Sequence, residues 1–220
     1  MLCPMSRRFS IVYSLASAVA LPLYSLVART HIEGEHFVPS KGGAILASNH
    51  ISFVDPLSLG CLVHRRKRQV HFLAKDSLFK NPILRWFFTS AGAIPVARNT
   101  VQAADSLIHA QAALQRGHLV AIYPEATMSA DLVQLPIKSG ALRLAVQASV
   151  PIVVVGVWGS QDIWRKGHRP HFRFRRPLAM VVLPPYTLAA DEDIDKGREV
   201  LAEKMLHATA LAKAKLGVHR

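Results

Sequence analysis

Asn49, His50 and Asp55 have the types and spacing to do chemistry. A histidine side chain can take a proton from a hydroxyl near neutral pH. A carboxylate bonded to its other ring nitrogen fixes the tautomer and steadies the imidazolium that forms. In Asn49-His50-Ile51-Ser52-Phe53-Val54-Asp55 a local turn is enough to fold the carboxylate back onto the imidazole. Apolar Ala44-Ile45-Leu46-Ala47 precedes this run behind Gly42-Gly43 and reads as a buried strand, and Leu57 to Val63 after it reads as a helix. Asn49 and His50 then leave a strand tip, where open α/β sheets bind ligands, and Asp55 stands near a helix start. Taken alone, the run also fits a helix-capping Asn or Ser beside a chance histidine.

Later stretches supply further candidates. Val70-His71-Phe72-Leu73-Ala74 reads as a second strand ending at Lys75, and Gly92 to Ala97 holds a short one followed by Arg98. A guanidinium is the natural bidentate clamp for phosphate, and Lys75 adds a point charge. An arginine after a strand is also often simply exposed. Leu119-Val120-Ala121-Ile122-Tyr123 is another strand, and Pro124-Glu125-Ala126-Thr127-Met128-Ser129 leaves its tip. Glu125 there can orient a hydroxyl or cap the following loop. Lys138 opens a helix that runs to Ala148, and Val150 to Val157 is an apolar strand suited to cover on both faces.

Taken in order, these segments resemble the four boxes of the glycerolipid acyltransferases. Asn49 to Asp55 resembles Asn-His-x-x-x-x-Asp. Lys75 to Arg98 resembles Lys-x-x-Leu-Phe-x-x-Pro followed by Gly-x-Ile-x-Val-x-Arg. Tyr123 to Ser129 resembles Phe-Pro-Glu-Gly-Thr-Arg-Ser, and Pro151 falls in the apolar fourth box. The resemblance runs from Ile32 to Gly159. It implies direct acyl transfer to the hydroxyl of lysophosphatidate, giving phosphatidate, with His50 as base and Asp55 orienting it. It places Asn49, Lys75, Arg98, Glu125, Thr127 and Lys138 on substrate. The donor is acyl-CoA or an acyl carrier protein, no cofactor is needed, and no covalent acyl-enzyme forms. Two positions depart from the family. Ala126 stands for a glycine and is less free to take positive φ. Met128 stands for an arginine that helps grip phosphate, which leaves glycerol 3-phosphate or another lysolipid or glycolipid hydroxyl open as acceptor.

The elements that must position these residues alternate strand and helix. The expected fold is α/β, a mixed and largely parallel sheet flanked by helices. A chain of 220 residues is long enough for one such domain. The expected division is a membrane-associating helical segment over residues 1–29 and the α/β domain over 30–220. Phe9 to Ala28 is twenty residues without a charge, and three readings of it compete: a signal peptide cleaved after Ala18-Val19-Ala20, one spanning helix, or a helix dipping into one leaflet and broken near Pro22. Thioester donors are cytoplasmic, so the family reading calls for an uncleaved segment and a site on the cytoplasmic face of the cell membrane.

The net charge of +13 and pI near 10.4, with mean hydropathy +0.22, suit an anionic partner. His64-Arg65-Arg66-Lys67-Arg68 is a solvated basic run that can also meet anionic headgroups. His171-Phe172-Arg173-Phe174-Arg175-Arg176 fits an amphipathic edge strand with its phenylalanines in the core better than a nucleic-acid platform, and no nucleic-acid motif accompanies it. Two cysteines make no disulfide framework, and no histidine pair has zinc-ligand spacing. From a different class, a non-catalytic basic protein of membrane surfaces or nucleic acid is the rival reading.

Overall fold

The computed structural model describes residues 7–82, 85, 88–89, 92–96, 103–189 and 191–217. Helix α1 (Arg7–Val27) leads into β1 (Ala28–Glu33). β2 (Ala44–Ser48), α2 (Asp55–Arg65) and β3 (Val70–Lys75) follow, then β4 (Ile94–Val96) and α3 (Ala103–Gln115). β5 (Leu119–Ile122), α4 (Gly140–Ala148), β6 (Ile152–Trp158), β7 (Arg176–Val182) and α5 (Ile194–Gly217) complete the domain. The seven-stranded sheet has the order β1-β7-β6-β2-β5-β3-β4. Every neighbouring pair is parallel except β6 with β7, so the expected mixed, largely parallel α/β fold is present.

The apolar runs explain the layering. Every residue of β2 and β5 is buried, as a parallel sheet covered on both faces requires. Ile45, Ala47, Val120, Ile152 and Val154 meet α3, α4 and α5 on one face through Ala113, Leu114, Leu142 and Met205. Leu46, Ala121, Val153 and Val155 meet α2 on the other through Leu59, Leu62 and Val63. At Gly156 a Cβ would lie 2.2 Å from the backbone of Ala208, so this glycine lets α5 lie directly on the sheet. The C-terminal ends of β2 and β5, side by side in the sheet, carry the residues after Ser48 and after Ile122 out at one edge.

Helix α1 is continuous from Arg7 to Val27 with Pro22 inside it, not broken there. Among the described residues no helix is long and apolar enough to cross a membrane, so the spanning reading has no support from the structure. Its two faces differ. Tyr24 is buried; its hydroxyl donates to Ser58 Oγ of α2 at 3.0 Å and lies 3.0 Å from Thr30 Oγ1. On the outer face Ile11, Leu15, Val19, Leu23 and Leu26 are 52–64% exposed. Their spacing of about one turn makes a single apolar stripe.

One basic stretch differs from expectation. Residues 171–175 are not a strand with phenylalanines in the core: β7 begins at Arg176, and Phe172 and Phe174 are 60% and 74% exposed. Arg175 takes a positive φ of 50° and its N–H donates to the Leu26 carbonyl, so the chain turns there instead of extending the sheet. The run at the end of α2 is exposed at His64, Arg65 and Lys67, as expected, and its arginines are also tied into the fold. Arg65 donates to both Glu35 oxygens at 2.6 and 3.2 Å, and Arg66 donates to the Val38 carbonyl. Arg68 donates to the carbonyls of Pro39, Gly42 and Gly117. Those carbonyls precede β2 and β5, at the sheet edge opposite the tips where Asn49 and Tyr123 emerge.

His71 on β3 is fully buried, with Nδ1 2.7 Å from the Gly92 carbonyl and its ring edge-on to His118. Burial lowers its pKa to about 4, and His118 is lowered the same way. The unfolded chain then binds more protons than the folded one as pH falls from about 6.5 toward 4, so stability drops across that window. The shift at His71 corresponds to roughly 3 kcal/mol once the window is fully crossed. Urea titrations of the native chain and of His71→Gln across this window check it: the variant should show the shallower pH slope, and equal slopes would remove His71 from the account.

Candidate active site

His50 follows β2 by two residues, and Asp55 is the first residue of α2. The chain between them is a tight turn closed by Asp55 itself. Its Oδ2 accepts the backbone N–H groups of Ile51 and Ser52, both at 2.8 Å, and lies 3.0 Å from His50 Nδ1. Asp55 is fully buried. An ionised carboxylate can only accept, so Nδ1 must carry the proton; a neutral His50 then presents the lone pair of Nε2. The carboxylate also stands at the N-terminus of α2, where the helix dipole favours a negative charge.

The neighbouring strand tips hold this turn. The Asn49 amide donates to the Val157 carbonyl at 2.9 Å and accepts the Val157 N–H at 2.8 Å, so both of its polar atoms are bonded to β6. Glu125 is buried. Its Oε1 accepts the His50 N–H at 3.4 Å and its Oε2 the Leu135 N–H at 2.9 Å. Of the two roles open to Glu125 in the sequence, the structure displays loop capping. Burial raises its carboxyl pKa, against the lowering effect of the two N–H donors. Ser129 N–H donates to the His50 carbonyl at 2.9 Å.

Two contributions were not readable from the sequence. The Tyr123 ring stacks on the His50 imidazole with centroids 4.0 Å apart and planes 16° from parallel. Its hydroxyl is held neutral by burial first and by the Asp55 charge second. Trp164, far along the chain, offers its carbonyl to Phe53 N–H at 3.1 Å and Ser52 Oγ at 2.8 Å, bracing the turn from outside. The signal for Tyr123 is its place directly before Pro124-Glu125, whereas Trp164 carries none.

His50 opens on a cavity of about 770 Å³. Its walls are mostly apolar: Ala16, Ala20 and Leu21 of α1, Leu57 and Gly60 of α2, Phe72 and Leu73 of β3, with Phe88, Leu107 and Met128. Lys75 and Lys138 stand in the same wall. The cavity thus joins an imidazole base, two cations and a long apolar lining. Met128, in the position of an expected cation, is buried and adds to the apolar part. Thr127 is exposed on the turn and is not part of the lining. Arg98 lies outside the described residues. Half-buried Cys61 has its thiol pKa raised by burial, which keeps it from thiolate chemistry. Among the described residues no three His, Cys, Asp or Glu side chains gather as a metal site.

Comparison with known proteins adds independent findings. The family described as "Acyltransferase" matches residues 29–158. A chloroplastic 1-acyl-sn-glycerol-3-phosphate acyltransferase of Brassica napus is 29% identical over 86% of this chain and 54% of its own length. The enzyme of that name from Bacillus subtilis is 26% identical over 71% of this chain and 77% of its own. The human alpha form is 33% identical over 71% and 54%. The chain spans little more than half the length of the plant relatives that it matches. The crystal structure of the 1-acyl-sn-glycerophosphate acyltransferase of Thermotoga maritima superposes with a TM-score of 0.72, covering 97% of this chain and 84% of that one at 23% identity, so the fold is shared.

Ala126, at φ 58°, does take the left-handed conformation that the sequence made costly for it. A non-glycine residue there costs about 1–2 kcal/mol, offset in a glycine variant by about 0.4–1 kcal/mol of unfolded-state entropy. Ala126→Gly should therefore raise the thermal midpoint by a small, measurable amount. A lower midpoint in calorimetry would mean that the alanine methyl contributes packing larger than the strain.

Proposed function

Because the chain belongs to the acyltransferase family, we propose that it moves a fatty acyl group from a thioester to a hydroxyl of lysophosphatidate, giving phosphatidate for phospholipid synthesis. The observation that carries this reading is the 3.0 Å His50–Asp55 contact opening on an apolar cavity with two lysines in its wall. His50 Nε2 takes the proton of the acceptor hydroxyl as the oxygen attacks the thioester carbonyl. Asp55 stabilises the imidazolium that results. Collapse of the tetrahedral adduct breaks the carbon–sulfur bond, and the thiolate leaves with that proton. The reaction balances without a protein nucleophile or a cofactor; acyl-CoA or an acyl carrier protein is a co-substrate.

The roles of the other residues follow from their surroundings. Lys75 and Lys138 meet the acceptor phosphate at the cavity wall, and the family motif gives Arg98 the role of bidentate phosphate partner. Asn49 and Glu125 act on substrate through the His50 turn that they brace. Thr127 borders the headgroup from the exposed side of the turn. An apolar lining of this extent suits an acyl chain. The outer stripe of α1 suits the plane of a bilayer: one face of the helix in lipid, the other closing the cavity. The protein then works uncleaved on the cytoplasmic face of the cell membrane, with an anionic lipid surface and no nucleic acid as partner. Met128 in the lining favours a second acceptor reading within the same reaction. With one cation fewer than the family motif has, glycerol 3-phosphate or a lysolipid or glycolipid with a different headgroup competes with lysophosphatidate.

The test is release of free thiol from acyl-CoA and from acyl carrier protein with a panel of these acceptors in detergent. Turnover should require an acceptor hydroxyl and be fastest with lysophosphatidate. His50→Ala should lose roughly 10²–10⁴-fold, and Asp55→Asn should also be severe because the amide permits the wrong tautomer. Thiol release with none of the acceptors, or full turnover by His50→Ala, would sink the reading.

A further inference from the structure

The chain between Trp164 and β7 takes no part in the chemistry above, yet it is built in a specific way. Arg165 to Arg175 holds five lysines and arginines, two histidines, two phenylalanines and no acidic residue. Among the described residues, none of Arg169, Arg173 and Arg175 is in an ion pair. The segment is anchored at both ends. Trp164 is bonded to Ser52 and Phe53 beside His50, and its ring packs against Phe53 and Phe172 with centroids 4.8 and 6.2 Å away. Arg165 donates to the Ala130 carbonyl and Lys166 to the Met128 carbonyl, just past Glu125. At the other end the Arg175 N–H is bonded to Leu26 at 2.8 Å, and Leu26 is the last residue of the exposed α1 stripe. Phe172 and Phe174 therefore project at the point where the active-site turn and that stripe come together.

We propose that Arg165–Arg175 is a docking surface for an anionic lipid bilayer, with Phe172 and Phe174 entering the interface and Arg169, Arg173 and Arg175 meeting lipid phosphates. The inference rests on the reading that the acceptor is a bilayer lipid, and it gives that reading a charged surface beside the active-site turn. The stripe of α1 from Ile11 to Leu26 supplies apolar area and holds no charged residue. The arginines after α2 are bonded to Glu35 and to backbone carbonyls at the opposite sheet edge. Apolar area or charge alone gives weak, reversible binding, and the two together hold a protein on a membrane. Alternating arginine and aromatic residues can also stack nucleic-acid bases. The bilayer is favoured because the segment is bonded at Arg175 to Leu26, the last of five exposed aliphatic residues of α1, which bases have no use for and acyl chains do. Seated this way, the segment sets the mouth of the cavity at the headgroup layer.

The test uses the full chain and two double variants, Phe172→Ser with Phe174→Ser and Arg169→Glu with Arg173→Glu. Sedimentation with phosphatidylcholine vesicles, with and without phosphatidylglycerol, reads the binding. Thiol release on detergent-dispersed acceptor, together with circular-dichroism melting, reads the fold and the chemistry. The unmodified chain should prefer phosphatidylglycerol vesicles, and less so at high salt. Each double variant should lose about tenfold or more of that binding while keeping its melting point and its turnover in detergent. Vesicle binding equal to that of the unmodified chain in either variant overturns the proposal. So does indifference of the unmodified chain to phosphatidylglycerol, or variants that lose only binding to a labelled single-stranded oligonucleotide. Failure of the acyltransferase reading would register separately, as absent thiol release by the unmodified chain.

Discussion

The site depends on one carboxylate oxygen. Asp55 Oδ2 accepts two backbone N–H groups and holds the Nδ1 side of His50, three contacts within seven residues of chain. Such an anion is expensive to bury alone, and hydrogen bonds to the charged form offset the cost. The start of α2 adds its dipole. The same contacts that make the turn tight fix which ring nitrogen is basic, so backbone geometry and chemistry cannot be separated here. Asn49 bound to β6, Glu125 capping the His50 N–H and Ser129 bound to the His50 carbonyl extend that constraint to the two strands flanking β2. The imidazole is thereby set against β2 and β5, both buried along their whole length.

A second constraint comes from α1. Its inner face closes the cavity and is bonded through Tyr24 to α2, while its outer face carries an apolar stripe. On the proposed function this ties catalysis to the bilayer without a crossing helix. Tyr13, Ala16, Ser17, Ala20, Leu21 and Tyr24 face the protein, and Ile11, Leu15, Val19, Leu23 and Leu26 face outward.

What could be read in the sequence was local. The β2 strand, the start of α2 and the return of Asp55 to His50 lie in one short run whose apolar pattern and turn length are visible directly. Layering followed from the apolar runs of β5 and β6. Contacts set by distant chain were invisible: the bracing of Ser52 by Trp164 spans 112 residues, and Tyr123 reveals its stacking only once β2 and β5 are paired. Residues 171–175 misled because alternation has the period of a strand. The turn at Arg175 and its bond to Leu26 come from tertiary packing that no periodicity encodes. Glu125 had two roles open, and only the positions of two backbone N–H groups distinguish them. The basic run at the end of α2 is solvated as its composition indicates, but composition does not show which carbonyls its arginines bond.

The central claim is that Asp55 holds His50 with the proton on Nδ1 and the lone pair on Nε2. Nitrogen-15 NMR of the histidine-labelled protein, assigned with a His50→Gln variant, reads this directly through two-bond couplings to the ring carbon protons. In the neutral ring the account predicts a pyrrole-like Nδ1 and a pyridine-like Nε2, with the pattern disturbed in Asp55→Asn. A pyridine-like Nδ1 in the native protein would contradict it, because the nitrogen presented to the acceptor would then already hold a proton.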